Sequence, residues 1–442
     1  MRIGLIAMSG VRACDAELMA IGLTLPGVIE RSQVIAALPS LGLLTLAGMT
    51  PAHHECRYFE VQDIRQSPNL TTDFDLVAIS SYSAQILEAY ELADRYRAAG
   101  VPVVLGGLHV SMRPDEALIH ADAVVIGEGE LTWLDVLRDA ERRALQRCYR
   151  MTAQFDLADA PMPAYELLEI DQYNRLTVQA SRGCPLRCDF CAASILIAPA
   201  YRQKPAERVL AEVDRIRELW RRPFIEFADD NAFVNKRYWK RLLPELACRR
   251  IRWFAETDLS LYEDDELLAL MRDSGCTQVL IGLESPTESG LKGIELKHDW
   301  KRRWWPHYKE AIRRIQSHGI RVNGCFVLGL DGHGQEVFDD VYDFVVDSEL
   351  FDVQITIQTP FPGTPLDERL RRDGRLLHDG QWQRCTLFDV NYRPTGMSAD
   401  ELRAGFRRLV ERLYSDDLTK WRRENFNRKY LRHATHYEEV SE

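Results

Sequence analysis

Short apolar runs recur through the first third of the chain, each followed by a stretch of helical period. IGLIAM (3–8), CRYFEV (56–61), FDLVAISSY (74–82), VPVVLGG (101–107) and ADAVVIGEGE (121–130) read as strands. SLGLLTLAGMT (40–50) reads as an apolar helix after Pro39, AQILEAYELADRYRAAG as an amphipathic helix closed by Gly100, and LTWLDVLRDAERRA as a third. Apolar strands that alternate with helices predict a parallel, doubly wound sheet. Ligands of such sheets lie at the carboxyl ends of the strands, where this chain carries SSYS, GGLHV and GEGE.

DLADAPMPAYELL (156–168) breaks the rhythm: it is rich in Pro and Ala, has no clear period, and marks a boundary. Beyond it the alternation resumes at a different spacing. RLTVQAS, PFIEFADDNAF, IRWFAETDLS, TQVLIGLESP, RVNGCFVLGLDG and DVQITIQTPFPGTP are strand candidates with helices between them. Parallel strands with crossover helices predict a partial (β/α)6 barrel with its chemistry at the C-terminal strand ends. From 398, SADELRAGFRRLVERLY opens on a Ser N-cap and predicts a helical tail. The expected class is α/β: a Rossmann-like domain over 1–150, a linker over 151–172, the barrel over 173–370 and a mostly helical extension over 371–442.

Composition narrows the function classes. The 442 residues are 46% hydrophobic and 28% charged with net charge −11, which argues against a general nucleic-acid binder, since phosphate contacts need a basic field. The basic runs KRRWW (301–305) and WRRENFNRKYLRHATHY read as solvated helix faces. No apolar run is long enough for a spanning helix, and MRIGLIAMSG lacks the features of a secretory signal. The ten cysteines stand mostly singly, so a reducing cytoplasm is expected.

The exception is SRGCPLRCDFCAAS (181–194), which sets Cys184, Cys188 and Cys191 in C-x-x-x-C-x-x-C spacing. Three soft thiolates suit three irons of a [4Fe–4S] cube and leave the fourth iron without a protein ligand. Zinc is the main competitor, but structural zinc sites pair two C-x-x-C knuckles, and no second pair occurs.

This loop resembles the cluster loop of the radical S-adenosylmethionine superfamily, including the aromatic Phe190 before the last cysteine. FIEFADDNAFVN, VLIGLESP and VNGCFVLGLDGHGQEVFDD resemble that barrel's second, fourth and fifth strand motifs. TIQTPFPGTPL resembles the sixth-strand motif of the subgroup with an N-terminal cobalamin-binding domain. LPSLGLLTLAGMT, VAISSYS, VVLGGLHVSMRPDEAL and VVIGEGE follow that subgroup's order, so the resemblance spans roughly 1–370.

The resemblance implies a [4Fe–4S] cluster whose open iron is chelated by S-adenosylmethionine. One electron then cleaves the sulfonium to methionine and a 5′-deoxyadenosyl radical. It implies S-adenosylmethionine contacts at Phe190, Asp229, Asp230, Glu284, Ser285 and Gly329. It also implies cobalamin along Ser80, Ser81, Gly106, Gly107, Gly127 and Glu128. The D-x-H-x-x-G loop of base-off cobalamin domains is missing: FEVQDIRQ (59–66) has no histidine, and His53 and His54 precede that strand. A degenerate domain kept for packing or substrate binding is the alternative.

The implied reaction is methylation of an unactivated carbon or a phosphorus centre. A cyclase, oxidase or mutase on the same scaffold is the alternative, one that transfers no methyl and need not bind cobalamin. An iron–sulfur electron carrier or sensor would want four protein ligands and a smaller domain. The implied partners are a small-molecule substrate and an electron donor such as flavodoxin or ferredoxin, with no nucleic acid and no membrane span. Tyr82, His109, Glu128, Glu256 and His333 lie near strand ends as acid–base candidates, with no partner visible in sequence.

Overall fold

The computed structural model describes residues 1–21, 38–67, 70–193, 195, 198 and 200–431. The first sheet is built from β1 (Arg2–Met8), β2 (Glu55–Val61), β3 (Leu76–Ser80), β4 (Val103–Gly106), β5 (Ala123–Ile126) and β6 (Cys148–Arg150). Its order is β2-β1-β3-β4-β5-β6 with every pair parallel. The edge strand β6 is one that its apolar content does not announce, because Cys148 and Arg150 are exposed. Both faces of the sheet are covered. Ile6, Val77 and Leu105 pack with the helix Ile86–Ala98, while Leu5, Leu76 and Val104 pack with Trp133. Two-sided burial is why these strands read as apolar runs rather than alternating ones.

The second sheet follows chain order. After β7 (Leu176–Val178), the short strands β8 (Ser181–Arg182) and β9 (Arg202–Gln203) pair antiparallel on either side of the cysteine loop. β10 (Phe224–Phe227), β11 (Arg252–Thr257), β12 (Cys276–Glu284), β13 (Arg321–Leu328) and β14 (Asp352–Ile357) complete it. The order β7-β10-β11-β12-β13-β14, all parallel with crossover helices, is the expected partial barrel.

The tail departs from a simple helical appendage. Helices do occupy Ala399–Leu413, opened by a Ser398/Glu401 capping box, and Asp416–Phe426. Between 373 and 398, however, Gly380, Pro394 and Gly396 break any helical period, and the chain runs as a strap back to the first domain. Trp382 of the strap enters the first domain's core, donates to Glu116, stacks edge-on against His109 and lies under Arg113. Residues 432–442, the end of the expected extension, lie outside the described residues.

Candidate functional site

The cysteine loop sits at the carboxyl end of β7, tied down on both flanks. Asp229, just past β10, accepts from the backbone N–H groups of Ala180 and Ser181 and from the Ser181 hydroxyl. Asp230 accepts from the Gly183 N–H at 2.7 Å. On the other flank, Cys188 bridges backbone to backbone with Glu295, Asp189 N donates to Ile294 O, and Leu296 N donates to Arg187 O. Gly183 takes φ +89°, and a Cβ there would stand 2.4 Å from Ala200 O. Only glycine fits.

Cys184 and Cys191 are half-buried and Cys188 is buried. Burial pushes the Cys184 thiol up to about 11 and Cys188 higher still, with Lys301 the chief influence opposing the latter. Isolated thiolates are thus disfavoured here, and a bound metal centre would supply the missing positive charge. Tetrahedral zinc would draw three sulfurs to about 3.8 Å apart at its usual bond length. Among the described residues, the group of three metal-type side chains that does converge within 4.8 Å is His53, His54 and Glu141. It lies where β2 begins, far from the carboxyl strand ends. The three cysteines therefore fit a cluster, and Asn231 reaches Cys184 Sγ at 3.8 Å while its own Oδ1 is buried without a partner.

The other expected residues line the barrel mouth. Glu284 ends β12 in a left-handed conformation, φ +64°, and is buried against Lys301 at 2.7 Å. Burial opposes the Lys301 charge, but Glu284 and Cys188 raise its pKa. Ser285 is buried and holds His333 Nε2 at 2.9 Å. Gly329 (φ +86°) is closed by Tyr392, whose hydroxyl donates to the Gly329 carbonyl at 2.6 Å, so packing alone requires this glycine. Phe190 is half-buried against the barrel core. Asp229 spends its oxygens on the loop backbone, and burial pushes its carboxyl up to about 7. Of the acid–base candidates, His109 and His333 are buried, and burial pulls both down to about 4, which favours the neutral imidazole.

Glu256 and Tyr82 behave differently. Trp253 packs outward against Trp239, so alternation turns Phe254 and Glu256 into the barrel. Glu256 is open to solvent there, yet protein surrounds it. Burial, then Glu226 and Asp230, pushes its carboxyl up to about 7. Tyr82, after β3, is 56% exposed but faces a cavity rather than bulk water. That cavity, about 410 Å³, lies between the domains and is lined by Tyr82, Thr177, Gln179, Glu226 and Arg182.

A second cavity of about 230 Å³ opens at the carboxyl ends of β3, β4 and β5. Leu43, Leu46, Val104, Val125 and Trp133 make it apolar, and Ser80, Gly106, Gly107, Gly127 and Glu128 form its polar side. It is an apolar slot whose polar side is made partly of glycine backbone. Ser81 lies beside it, bonded to the Tyr82 carbonyl. The two cavities share Gly42, Glu130 and Arg182. Arg182 of the cysteine loop pairs with Glu128 and Glu130 of the first domain, and Arg202 also pairs with Glu128. Burial works against the Glu128 charge, but Arg202, the Phe155 N–H and Arg182 hold its carboxyl below the usual range. Sequence reasoning missed Lys301, Asn231, Arg182 and Arg202. Arg182, Asn231 and Lys301 stood in quoted stretches and Arg202 did not, but nothing local showed the partner of any of them.

An open parallel barrel with a three-cysteine loop at its mouth, facing a doubly wound domain across a cavity, defines a two-domain enzyme that works through bound cofactors. The radical SAM superfamily matches residues 178–345, the B12 binding domain matches 33–137, and a domain of unknown function, DUF4070, matches 364–440. The chain is 31% identical over 359 residues to the hopanoid C-2 methylase of Rhodopseudomonas palustris, covering 78% of this chain and 67% of that one. It is 27% identical to the bacteriochlorophyllide d C-12(1)-methyltransferase of Chlorobaculum tepidum, covering 81% and 80%.

The fold is that of the radical S-adenosylmethionine methyltransferase TsrM from Kitasatospora setae, solved with cobalamin and a [4Fe–4S] cluster. The TM-score is 0.64 at 15% identity over 94% of this chain and 86% of that one. The chain belongs to the radical S-adenosylmethionine superfamily, in the branch that carries a B12-binding domain, and it is a radical enzyme of the methyltransferase kind. The cofactors of that branch are a [4Fe–4S] cluster, S-adenosylmethionine and cobalamin. No helix among the described residues is long and apolar enough to cross a membrane.

Proposed function

We propose that this enzyme methylates an unactivated carbon of a small molecule held between its two domains, as the names of its relatives suggest for theirs. The carrying observation is the shared wall of the two cavities at Arg182, Gly42 and Glu130, which joins the apolar slot to the barrel mouth. Bound together, the cofactors supply a carbon-centred radical and a transferable methyl group.

The residues then divide the work. Cys184, Cys188 and Cys191 ligate the cluster and leave one side open. Glu284 is held by Lys301 to face the open side, with Asp230 and Phe190 flanking S-adenosylmethionine. Asp229 and Ser285 act one step back, fixing the loop and His333. Ser80, Gly106 and Gly107 border the cobalamin slot. Tyr82, Gln179 and Glu226 face the substrate, and the salt-bridged arginines keep bulk water from entering between the domains. The proposed division remains 1–150, 151–172, 173–370 and 371–442, with the strap belonging functionally to the first domain. Ten unpaired cysteines suit a reducing cytoplasm.

The slot provides the test. A Cβ at Gly106 meets only Val125, at 3.8 Å, so Gly106→Trp fills the slot with little backbone strain. The expected result is loss of corrinoid absorption after loading with hydroxocobalamin, with iron content unchanged. Retention of stoichiometric corrinoid would contradict the assignment. In turnover, S-adenosylhomocysteine and 5′-deoxyadenosine in equal amounts mark methyl transfer. Deoxyadenosine alone marks a cyclisation or oxidation, the activity named for the 23% identical anaerobic magnesium-protoporphyrin IX monomethyl ester cyclase of Cereibacter sphaeroides.

A further inference from the structure

Radical generation at the cysteine loop consumes an electron, and none of the residues described above delivers it. The segment 292–298, which closes the loop from outside, has two faces. Ile294 and Glu295 are buried and hold the loop: Ile294 O accepts from Asp189 N, and Glu295 bridges Cys188 and accepts from the Arg187 N–H. Lys292, Leu296, Lys297 and His298 point outward and are exposed. Leu296 is one of the few large apolar side chains left in the open among the described residues, 51% exposed, and its N–H bonds to the carbonyl of Arg187, next to Cys188.

Around it, cations without an ion pair outnumber carboxylates without one. Lys292, Lys297, Arg187 and Arg303 make no ion pair among the described residues. Of the carboxylates nearby, Glu295 is buried under backbone N–H donors and Glu368 has no ion-pair partner among the described residues, while the others are paired. Asp299 and Glu288 pair with Arg302, Asp331 pairs with Arg369 and Arg375, and Asp189 pairs with Arg369. The adjoining cleft, about 500 Å³, is lined by Leu296 and by Lys292, Arg369 and Arg372 together with Asp189, Asp331 and Glu368. A chain of net charge −11 repels acidic proteins at long range, so a local basic field around one apolar anchor selects where such a protein lands.

We propose that the exposed face of 292–298, with Arg187 beside it, is the docking surface for a small acidic one-electron donor protein. The inference rests on the radical-enzyme reading of the cysteine loop. In the transfer the donor is oxidised by one electron and the cluster reduced by one. That electron is spent on breaking the sulfonium C–S bond of S-adenosylmethionine. Leu296 is the anchor, one backbone hydrogen bond and one peptide from Cys188, and the cations steer and hold the donor's carboxylates.

The test uses the full chain with its cluster and a bacterial flavodoxin, an acidic flavoprotein, as the probe. Binding is measured by calorimetry for wild type, Lys292→Glu/Lys297→Glu and Leu296→Ser, and iron content checks the cluster. The expected result is binding weakened at least about tenfold in each variant, with wild-type affinity falling steeply as salt rises. Deoxyadenosine formation driven by flavodoxin, its reductase and NADPH falls with it, while the dithionite-driven rate stays at the wild-type level. Equal flavodoxin affinity and equal flavodoxin-driven rates in wild type and variants would overturn the docking surface. Loss of the dithionite-driven rate in wild type would instead remove the reading beneath it.

Discussion

Lys301 and Glu284 are the pair in which burial and charge contend most directly. Each is nearly enclosed, and the lysine also donates to the Gly282 carbonyl at 2.7 Å. Breaking a buried pair from one side strands the other charge, so Lys301→Met is expected to cost about 3 kcal/mol. Denaturant unfolding should show it, and Lys301→Met/Glu284→Gln should recover much of the loss. A double variant no better than the single would mean that the charge was not the cause.

Glu256 carries a second residue-scale expectation. Its carboxyl is raised to about 7 in the fold, above the ordinary value near 4.3, so the folded state favours the protonated form. The stability this gives is complete below about pH 4 and is lost as pH rises through about 7. Wild type should therefore lose Tm relative to Glu256→Gln between pH 5 and pH 8, and parallel Tm curves would refute the shift. Glu256 was named from its place at a strand end. Its two acidic neighbours were not legible, because Glu226 and Asp230 come from β10 and the turn after it.

At the scale of elements, the cysteine loop is a two-sided splice. Asp229 and Asp230 pin its start to β10, and 292–298 pins its end to the connection after β12. Gly183→Ala sets a Cβ against Ala200 O and Ala198 O, which the left-handed backbone cannot relieve. Iron loading is expected to fall severalfold while circular dichroism stays native. Full iron loading in the variant would show that the loop tolerates a rearrangement. The strands that a sequence reader finds most easily, β1, β3, β12 and β13, are those buried on both faces. β6, β8 and β9 were missed because they are short and half-exposed, and they exist only through their neighbours. Motif order likewise made the cluster cysteines legible, whereas Asp229's role as a backbone acceptor needed the fold to bring 229 beside 180 and 181.

At the scale of the whole molecule, the links between the domains include the Arg182/Arg202 pairs to Glu128 and Glu130, the Arg407 pairs to Asp15 and Glu17, the Tyr173–Glu60 and Arg113–Asp367 contacts, and the strap with Trp382. None has a sequence signature, since each joins residues far apart in the chain. Trp382→Ala removes a buried indole, its bond to Glu116 and its stacking on His109, at an expected cost of about 3 kcal/mol. Limited proteolysis should then cut within the strap far faster than in wild type. An unchanged digestion rate would show that the strap is held by other contacts.

The central claim is that three cysteines hold a cluster whose open side is used for radical generation at the face shared by both domains. Anaerobic reconstitution with iron and sulfide, followed by dithionite and S-adenosylmethionine, tests it by quantifying 5′-deoxyadenosine. The account predicts deoxyadenosine from the wild type and none above background from Cys184→Ala, Cys188→Ala or Cys191→Ala. Wild type without deoxyadenosine, or a cysteine variant that still makes it at the wild-type rate, would contradict it.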